Sequence, residues 1–307
     1  MSIVWINGQF KNDAEAGVSL RDSGLLHGAG VFTTMRAYGG KVFRLVQHLR
    51  RLRDSCEALF IPLQFKDDVL AKAVDELLKQ NELSDARLRL TVTRGASTQD
   101  PLHGLRLDPT AFLTAAPLEP YPREFYERGM TVILLDEQKA NPYDMQAGHK
   151  TVNYLSRLSA LRAANQRQAG EALWFNVHNY LQSSCIANVF LVENGTLLTP
   201  PTQVDLRAPA LKQTVPYPRS NVLPGVTREA VLEIAADLRI ETSTPAVDVN
   251  RLLAADEIFL TNSIMGIMPV CRVELKAIGP DKPGEITLRL SEAYAQQVDD
   301  ELGNEGA

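Results

Sequence analysis

The chain has 307 residues, of which 45% are hydrophobic and 22% are charged, and its formal net charge is -5. This length predicts two domains at roughly 100–200 residues each, and the apolar content is enough for a sizeable core. The charges form no basic patch, which argues against nucleic acid as a partner. No apolar run approaches the roughly 20 residues of a membrane span, and the N-terminus lacks the pattern of a secretory signal. We therefore expect a cytoplasmic protein with no membrane partner.

The three cysteines, Cys56, Cys185 and Cys271, are odd in number and scattered along the chain. This usage predicts free thiols in a reducing compartment. Neither the cysteines nor the five histidines show the spacing of metal ligands, so we expect no metal site.

The N-terminal part of the chain alternates strand and helix patterns. Asn7-Gly8 is a strong hairpin signal, and leucines recurring every three and four residues predict amphipathic helices. In order, the predicted elements are a hairpin over residues 3–10, tight turns over 24–30, a strand over 31–36, helices over 45–60 and 67–80, and strands over 87–94 and 111–115.

Arg94 ends an apolar strand face. Leu88, Leu90 and Val92 lie on one face by their period of two, and Arg94 shares their parity. An arginine there would be costly to leave unpaired, so we expect it to meet an anion. That anion is either a protein carboxylate or a substrate carboxylate.

A proline-rich connector follows these strands. Three prolines in residues 117–122 make a stiff segment, where we place the domain boundary. The predicted organisation is an N-terminal domain over residues 1–118, a linker over 119–124 and a C-terminal domain over 125–307.

The second half of the chain predicts a further mixture of strands and helices. Thr227 reads as a helix N-cap, and the tail from Asp299 is expected to fray. The helix after Lys150 is expected to turn Leu155, Leu158 and Leu161 inward. In order, the predicted elements are a strand over 130–135, a helix over 152–168, strands over 172–175 and 180–182, a hairpin over 189–199, a helix over 227–238, a strand over 257–260 and a closing helix around 286–294.

Residues 202–222 form a long irregular segment between two proline-rich motifs. Segments this long inside a compact domain tend to be functional or mobile. We expect this one to cover the mouth of an active site or a subunit edge.

Several segments together carry a resemblance to a known family. Lys150 by itself is a weak signal, because most lysines are solvated surface charges. With its neighbours, however, the chain resembles the class IV aminotransferases, pyridoxal-phosphate (PLP) enzymes of fold type IV, over roughly residues 3 to 295. The segments that carry the resemblance are 31–36, 148–155, 188–190 with 198–200, 223–228, 255–261 and 268–270. The implied fold is a two-domain α+β architecture with a small N-terminal α/β domain and a larger C-terminal α/β pseudo-barrel.

The resemblance implies a set of cofactor-binding roles. Lys150 is the residue that forms the Schiff base with PLP and later moves a proton between substrate and cofactor. Tyr154 is the implied hydrogen-bond partner of the ring oxygen. The cofactor phosphate is assigned to the Arg51 guanidinium, to the backbone N–H groups of Val226 and Thr227, and to Ser263 and Ile264.

Two arginines are candidates for the substrate carboxylate. Arg94 falls where D-amino-acid enzymes of the family bind it, which agrees with the strand parity, and Arg36 is the second candidate. The implied substrates are an amino acid and a 2-keto acid, and the implied assembly is a homodimer.

Ser183 departs from the family pattern. The register set by Asn188-Val189-Phe190 places Ser183 where the family has a glutamate that keeps the pyridine nitrogen of PLP protonated. A serine can only share a hydrogen bond with a neutral nitrogen, so the carbanion formed during catalysis should be less stabilised.

The function expected from this resemblance is amino-group transfer, with two alternatives. Residues 153–155 favour an aminotransferase. Residues 32–34 and 267–271 are closer to 4-amino-4-deoxychorismate lyase, which eliminates pyruvate, although the segment after Gly95 lacks that enzyme's second arginine. A catalytically impaired PLP-binding homologue is the third interpretation.

Overall fold

The computed structural model describes residues 2–100, 104–135, 138–208, 211 and 215–303, with the backbone alone for 98–100 and 104–106. These residues form two compact units. The first contains the chain up to Glu119, the segment His149–Tyr154 and the chain from Asp299 onward. The second contains Pro120–Gly148 and Leu155–Val298. The predicted linker over 119–124 stays a prediction, but residues 149–154 and the chain end are grouped with the N-terminal rather than the C-terminal part.

A six-stranded antiparallel sheet is the framework of the first unit, with strand order β2-β1-β6-β5-β3-β4. Asn7 and Gly8 both have positive φ, 47° and 86°, which is the type I′ geometry that the sequence predicts for the first hairpin. The strands are β1 (Ile3–Ile6), β2 (Gln9–Asn12), β3 (Gly30–Tyr38), β4 (Lys41–Val42), β5 (Ala86–Asp100) and β6 (Gly104–Pro117).

Three helices accompany this sheet: α1 (Ser23–His27), α2 (Leu45–Ala58) and α3 (Asp67–Gln80). The apolar stripes of α2 and α3 join the sheet in one core that includes Met35, Leu52 and Leu77. The two predicted helices are thus confirmed. The tight turns expected over 24–30 are instead the short helix α1, because the buried Asp22 carboxylate accepts the Gly24 N–H and caps it.

The second unit is built on a nine-stranded mixed sheet, with the path β12-β11-β10-β13-β14-β7-β8-β9 and β15 paired to β14. Strand β7 runs parallel to both β14 and β8. The strands are β7 (Met130–Leu134), β8 (Glu171–Phe175), β9 (Leu181–Ser184), β10 (Asn188–Glu193), β11 (Thr196–Leu198), β12 (Thr242–Ser243), β13 (Glu257–Asn262), β14 (Gly266–Val273) and β15 (Lys276–Ala277).

Helices in the remainder of the chain are α4 (Arg123–Arg128), α5 (Leu155–Gln166), α6 (Val226–Asp237), α7 (Val249–Ala254) and α8 (Glu285–Leu302). Within the described residues, no helix is long and apolar enough to cross a bilayer. The three cysteines are free and buried, as the sequence predicts.

The helix after Lys150 differs from its prediction. It begins at Leu155 rather than Val152, because residues 150–152 make backbone hydrogen bonds with β3 instead. The expectation that its leucines face inward is wrong for Leu155 and Leu158, which are 74% and 54% exposed. The small residues Ala160 and Ala164 form the buried face.

Two other helix ends also differ. Gly225, not Thr227, is the N-cap of α6, and Thr227 lies inside the first turn. Over the described residues, the chain after Asp299 is not frayed as predicted, since α8 continues to Leu302. Its last turn is held by Lys41, which donates to the Leu302 carbonyl at 2.7 Å, and by an Arg44–Glu301 ion pair at 3.1 Å.

Candidate active site

The Lys150 segment is fixed to the first unit's sheet by its backbone. The Phe32 N–H donates to the Lys150 carbonyl and the Val152 N–H donates to the Gly30 carbonyl, both at 2.9 Å. Val31 and Thr151 form the antiparallel bridge between these bonds. Residues 150–152 therefore pair with the start of β3, which lies more than a hundred residues earlier in the sequence. This pairing sets the position of the Lys150 side chain.

The Lys150 amine lies beside the phenol of Tyr154 and the ring of Phe32. Its Nζ donates to the Tyr154 hydroxyl at 3.0 Å and lies 4.7 Å from the centroid of the Phe32 ring. The Phe32 and Tyr154 rings pack edge to face with centroids 5.3 Å apart. The amine therefore makes a hydrogen bond and lies close to two aromatic rings, those of Phe32 and Tyr154, which suits a nucleophile that must keep a fixed direction.

Arg89 is a second cation on the same ring, and sequence reasoning missed it. Its Cζ lies 3.5 Å from the Phe32 centroid, and its Nε donates to the Thr91 hydroxyl at 3.2 Å. Burial lowers the pKa of Arg89, and the nearby Tyr154 opposes that shift. The sequence contained a signal that could have identified Arg89. It lies between Leu88 and Leu90, so strand alternation directs its side chain away from the core that buries them.

Arg51 lies in a buried polar cluster on the core side of β3. Its guanidinium donates to the Thr33 hydroxyl at 3.1 Å, and that hydroxyl shares a 2.8 Å hydrogen bond with His48 Nδ1. Burial, together with the charges of Arg51 and Lys150, keeps the pKa of His48 well below its ordinary value. The imidazole is therefore neutral at physiological pH and adds no charge beside the two cations.

The two candidate carboxylate arginines occupy different surroundings. Arg36 lies on the sheet face that carries Phe32, with its Cζ 4.2 Å from the Tyr38 centroid. The Arg94 N–H donates to the Ala29 carbonyl at 2.8 Å, beside a register shift in β5. Among the residues whose side chains are described, Arg94 has no carboxylate partner. Both alternatives for Arg94, a protein carboxylate and a substrate carboxylate, therefore stay predictions.

Ser183 is buried in β9 of the second unit. It is the register partner of Trp174 in β8, so the two side chains share one face of the sheet. The neighbouring Gln182 side chain is also buried, and its Oε1 accepts the Asn221 N–H at 3.1 Å. The pairing with β8 and the hydrogen bond between Gln182 and Asn221 therefore hold the strand that carries Ser183.

The N-terminus of α6 presents Val226 and Thr227 with the unpaired N–H groups that begin any helix. Asn188, at the start of β10, orients this end by donating to the Leu223 carbonyl at 3.0 Å. A Cβ on Gly225 would lie 2.0 Å from the Asn188 Oδ1, so only glycine fits there. A helix start of this kind suits an anion, and the phosphate role of Val226 and Thr227 stays a prediction.

Ser263 and Ile264 follow β13 in a turn organised by Asn262. The Asn262 side chain accepts the N–H groups of Ile264 and Met265, each at 2.9 Å. The Ile264 N–H is therefore already used within the turn. A phosphate role for this residue would require that bond to be exchanged.

Residues 202–222 are tied to two site-bearing elements of the second unit. Asp205 pairs with Arg228 of α6 at 2.8 Å, and Arg228 is almost fully buried. Asn221 bonds Gln182 of β9, and the segment's Leu206, Val215 and Tyr217 form a small core of their own. The described part of this segment is therefore an internal brace between β9 and α6, whereas a role in covering an active-site mouth or subunit edge stays a prediction.

Glu171 is a buried carboxyl at the start of β8. Burial raises its pKa from an ordinary 4.5 to about 7, although N–H groups of Cys185 and Ala172 donate to it and oppose the shift. Because the folded-state pKa is raised, Glu171 costs no stability below about pH 4.5 and destabilises the fold as pH rises toward 7.

Glu171→Gln should remove this pH dependence. The amide oxygen can accept the same two N–H groups without ionising. Relative to the parent, the variant should therefore gain up to about 3 kcal/mol of unfolding free energy between roughly pH 5 and pH 8. Chemical denaturation at both pH values measures this gain, with the exposed Glu124→Gln as the control. Equal pH dependence in all three proteins would contradict the buried-acid assignment.

The polar groups of both units match the needs of PLP. In the first unit, the Lys150 amine lies beside the Tyr154 phenol and shares the Phe32 ring with Arg89, which suits an aldehyde that carries neighbouring anionic groups. In the second unit, a glycine-cradled helix start suits a phosphate. Among the described residues no group of His, Cys, Asp or Glu could hold a metal ion. The residues present therefore fit an organic phosphate cofactor.

The chain belongs to the class IV aminotransferase family, whose pattern it matches over residues 30–273. It is a PLP-dependent enzyme of that class. A Methanocaldococcus jannaschii protein assigned as a branched-chain-amino-acid aminotransferase is 33% identical over 298 residues, covering 95% of this chain and 94% of the relative. The aminodeoxychorismate lyase of Bacillus subtilis is 26% identical over 306 residues, covering 99% and 97%.

A solved structure agrees with these relatives. The branched-chain amino acid aminotransferase of T.th., with pyridoxamine 5'-phosphate, superposes with a TM-score of 0.84 at 26% identity, covering 97% of this chain and 94% of that one. The predicted family, the fold type IV architecture and the PLP cofactor are thereby confirmed. The individual residue roles stay predictions.

Proposed function

We propose that this enzyme transfers an amino group between an amino acid and a 2-keto acid through a Schiff base at Lys150. The observation that carries this proposal is the Lys150 amine, which donates to Tyr154 at 3.0 Å against the Phe32 ring. A lysine held in this way is positioned to react repeatedly at one point in space. On resemblance alone, we also propose a cytoplasmic homodimer.

Each residue of the site has a distinct task in this proposal. PLP supplies an aldehyde and an electron-withdrawing ring. The Lys150 amine would hold the cofactor through its aldehyde and, when the substrate amine takes that place, would accept the proton from the substrate carbon and return it. The Tyr154 hydroxyl orients the amine between these two tasks. We assign the phosphate to Arg51, Val226, Thr227, Ser263 and Ile264, as the resemblance implies.

The substrate carboxylate is assigned to the arginine-bearing face of the first unit. Arg89 and Lys150 both contact Phe32, so an anion arriving beside the amine meets a fixed guanidinium. Arg36 lies two positions beyond Thr34 on the same strand face, and Arg94 is the third candidate. We rank Arg89 first because its guanidinium lies on the same ring as the Lys150 amine.

Pyruvate elimination is the second candidate function. It is favoured by the lyase relative, which covers nearly the whole chain, and by the neutral Ser183 at a position that the family resemblance assigns to an acid. Both functions need the same Schiff base, so they differ only in the steps after substrate binding. Product analysis with amino acids and with aminodeoxychorismate separates them.

The proposal is tested by the absorption spectrum of the PLP-loaded protein before and after borohydride, with mass mapping of the reduced residue. We expect a visible band that borohydride removes and a phosphopyridoxyl label on Lys150 alone. A label on another lysine, or no label, would refute the assignment. Transamination of L- or D-amino acids then identifies the substrate class.

Arg89→Gln should weaken substrate capture without disturbing the cofactor. Losing a charge-assisted bond to a carboxylate should lower kcat/KM by about ten- to a hundredfold, mainly through KM. The visible absorbance band should not change. Arg87→Gln is the matched control, because Arg87 is exposed and lies two residues earlier on the same strand face. An unchanged KM in Arg89→Gln would remove Arg89 from the substrate site.

A further inference from the structure

Thr33 carries a buried hydroxyl that contacts two side chains of one helix. It lies in β3, and its Oγ1 accepts a hydrogen bond from the Arg51 guanidinium at 3.1 Å. The same oxygen lies 2.8 Å from His48 Nδ1. Thr33 and His48 are 0% and 1% exposed. His48 and Arg51 are three residues apart in α2, so they lie on one helix face and reach the hydroxyl together.

The chemistry of these three groups fixes the direction of their hydrogen bonds. A guanidinium has only donors, so the Thr33 oxygen accepts from Arg51. Burial, with the charges of Arg51 and Lys150, keeps the pKa of His48 well below its ordinary value, so the imidazole is neutral at physiological pH. A neutral imidazole whose Nδ1 carries no proton can accept the single proton of the hydroxyl. We assign this tautomer, because it turns an oxygen lone pair toward Arg51 and lets each group make its bond.

Strand β3 connects this cluster to the reactive amine. The preceding residue, Phe32, donates its backbone N–H to the Lys150 carbonyl at 2.9 Å, and its ring lies 4.7 Å from the Lys150 Nζ. Thr33, the next residue, accepts from Arg51. Adjacent residues of one strand therefore contact the lysine assigned to the cofactor aldehyde and the arginine assigned to the cofactor phosphate.

We propose that Thr33 and His48 are positioning residues that hold the Arg51 guanidinium in place for the cofactor phosphate. The inference rests on the proposed function, because it takes Arg51 as a phosphate ligand. A guanidinium is a planar fork, so a hydrogen bond from one of its N–H groups to Thr33 restricts the directions of the others. Fixing the fork before the phosphate arrives lowers the ordering cost of binding. The contribution should therefore appear only with ligands that carry the phosphate.

The test compares PLP with pyridoxal, which has the same aldehyde and ring but no phosphate. Absorbance titration of the cofactor-free protein gives both dissociation constants, and the ratio of the pyridoxal constant to the PLP constant measures the phosphate contribution. Thr33→Val removes the hydroxyl but keeps the side-chain shape. It should lower this ratio by about tenfold, because PLP binds more weakly while pyridoxal binds as it does to the parent. His48→Leu should lower the ratio in the same way, and it provides the test if Thr33→Val fails to fold.

Two controls separate positioning from general damage to the core. Thr33→Ser keeps the hydroxyl and should retain the parental ratio. Thr110→Val makes the same exchange at another buried threonine of the sheet, whose hydroxyl donates to Asp22 at 2.7 Å, and should also retain that ratio. A substitution that only disturbs the fold weakens both ligands alike, so it does not change the ratio.

Arg51→Gln separates the two levels of the proposal. It should lower the ratio at least as far as Thr33→Val does, and adding Thr33→Val to it should cause no further fall, because the hydroxyl then has no guanidinium to hold. A parental ratio in Arg51→Gln would refute the phosphate assignment, and the inference would fail with it. A lower ratio in Arg51→Gln, with a parental ratio in Thr33→Val or His48→Leu, would overturn only the inference.

Discussion

Lys150→Ala is expected to abolish the borohydride-sensitive absorbance and almost all turnover. The substitution removes the amine that donates to Tyr154 and packs on Phe32, so neither covalent attachment nor proton transfer at the substrate carbon has a substitute. Proton transfer alone contributes about 10²–10⁴-fold, so a loss of at least this size is expected. Absorbance titration with PLP and a coupled transamination assay measure both effects.

The matched control for this substitution is Lys139→Ala. Lys139 is also a lysine beside an aromatic ring, with its Nζ 5.5 Å from the Phe175 centroid, but it lies in the second unit. Its replacement should leave the spectrum and turnover at parental levels. Retained absorbance in Lys150→Ala would mean that another amine binds the cofactor aldehyde.

Gly225→Ala is expected to weaken PLP binding by tenfold or more, about 1.4 kcal/mol. The added Cβ would lie 2.0 Å from the Asn188 Oδ1, which must move and release the Leu223 carbonyl. The start of α6 would then lose the orientation of its Val226 and Thr227 N–H groups toward a phosphate. Fluorescence titration of the cofactor-free protein with PLP gives the dissociation constant.

Gly17→Ala is the control for that prediction. Gly17 is exposed and has nothing within 4 Å of the site where its Cβ would be built. It should bind PLP as the parent does. If Gly225→Ala also binds normally while remaining folded, the phosphate does not lie at the start of α6.

Local chemistry explains which elements were predictable. The Asn7-Gly8 turn and the helices over 45–58 and 67–80 depend on neighbouring residues, whose turn preferences and periodicity can be read from the chain. The helix predicted to begin at Val152 begins only at Leu155, because residues 150–152 pair with β3, far away in sequence. Periodicity contains no information about such pairing.

The same distinction separates the site residues. Lys150, Tyr154 and Ser183 stand out through motif and register, whereas Arg89 and Arg157 look like ordinary surface charges until their neighbours are known. The Arg89 guanidinium packs on the ring of Phe32 in the adjacent strand. The Arg157 guanidinium donates to the Ser184 carbonyl, 27 residues away in sequence. Leu155 and Leu158 likewise have a helical spacing that predicts burial, but the surrounding packing leaves them exposed.

The sequence by itself determined the family and the cofactor, and it predicts Lys150 as the reactive lysine and Ser183 as the replacement of an acid, because these depend on residue identity at aligned positions. Only the tertiary structure decided which charges surround those positions. Strand register placed Arg89 on the ring beside the Lys150 amine, and helix packing placed Arg157 on the face shared by Trp174 and Ser183. Electrostatic effects depend on distance and burial, and both are set by long-range contacts that residue order does not specify.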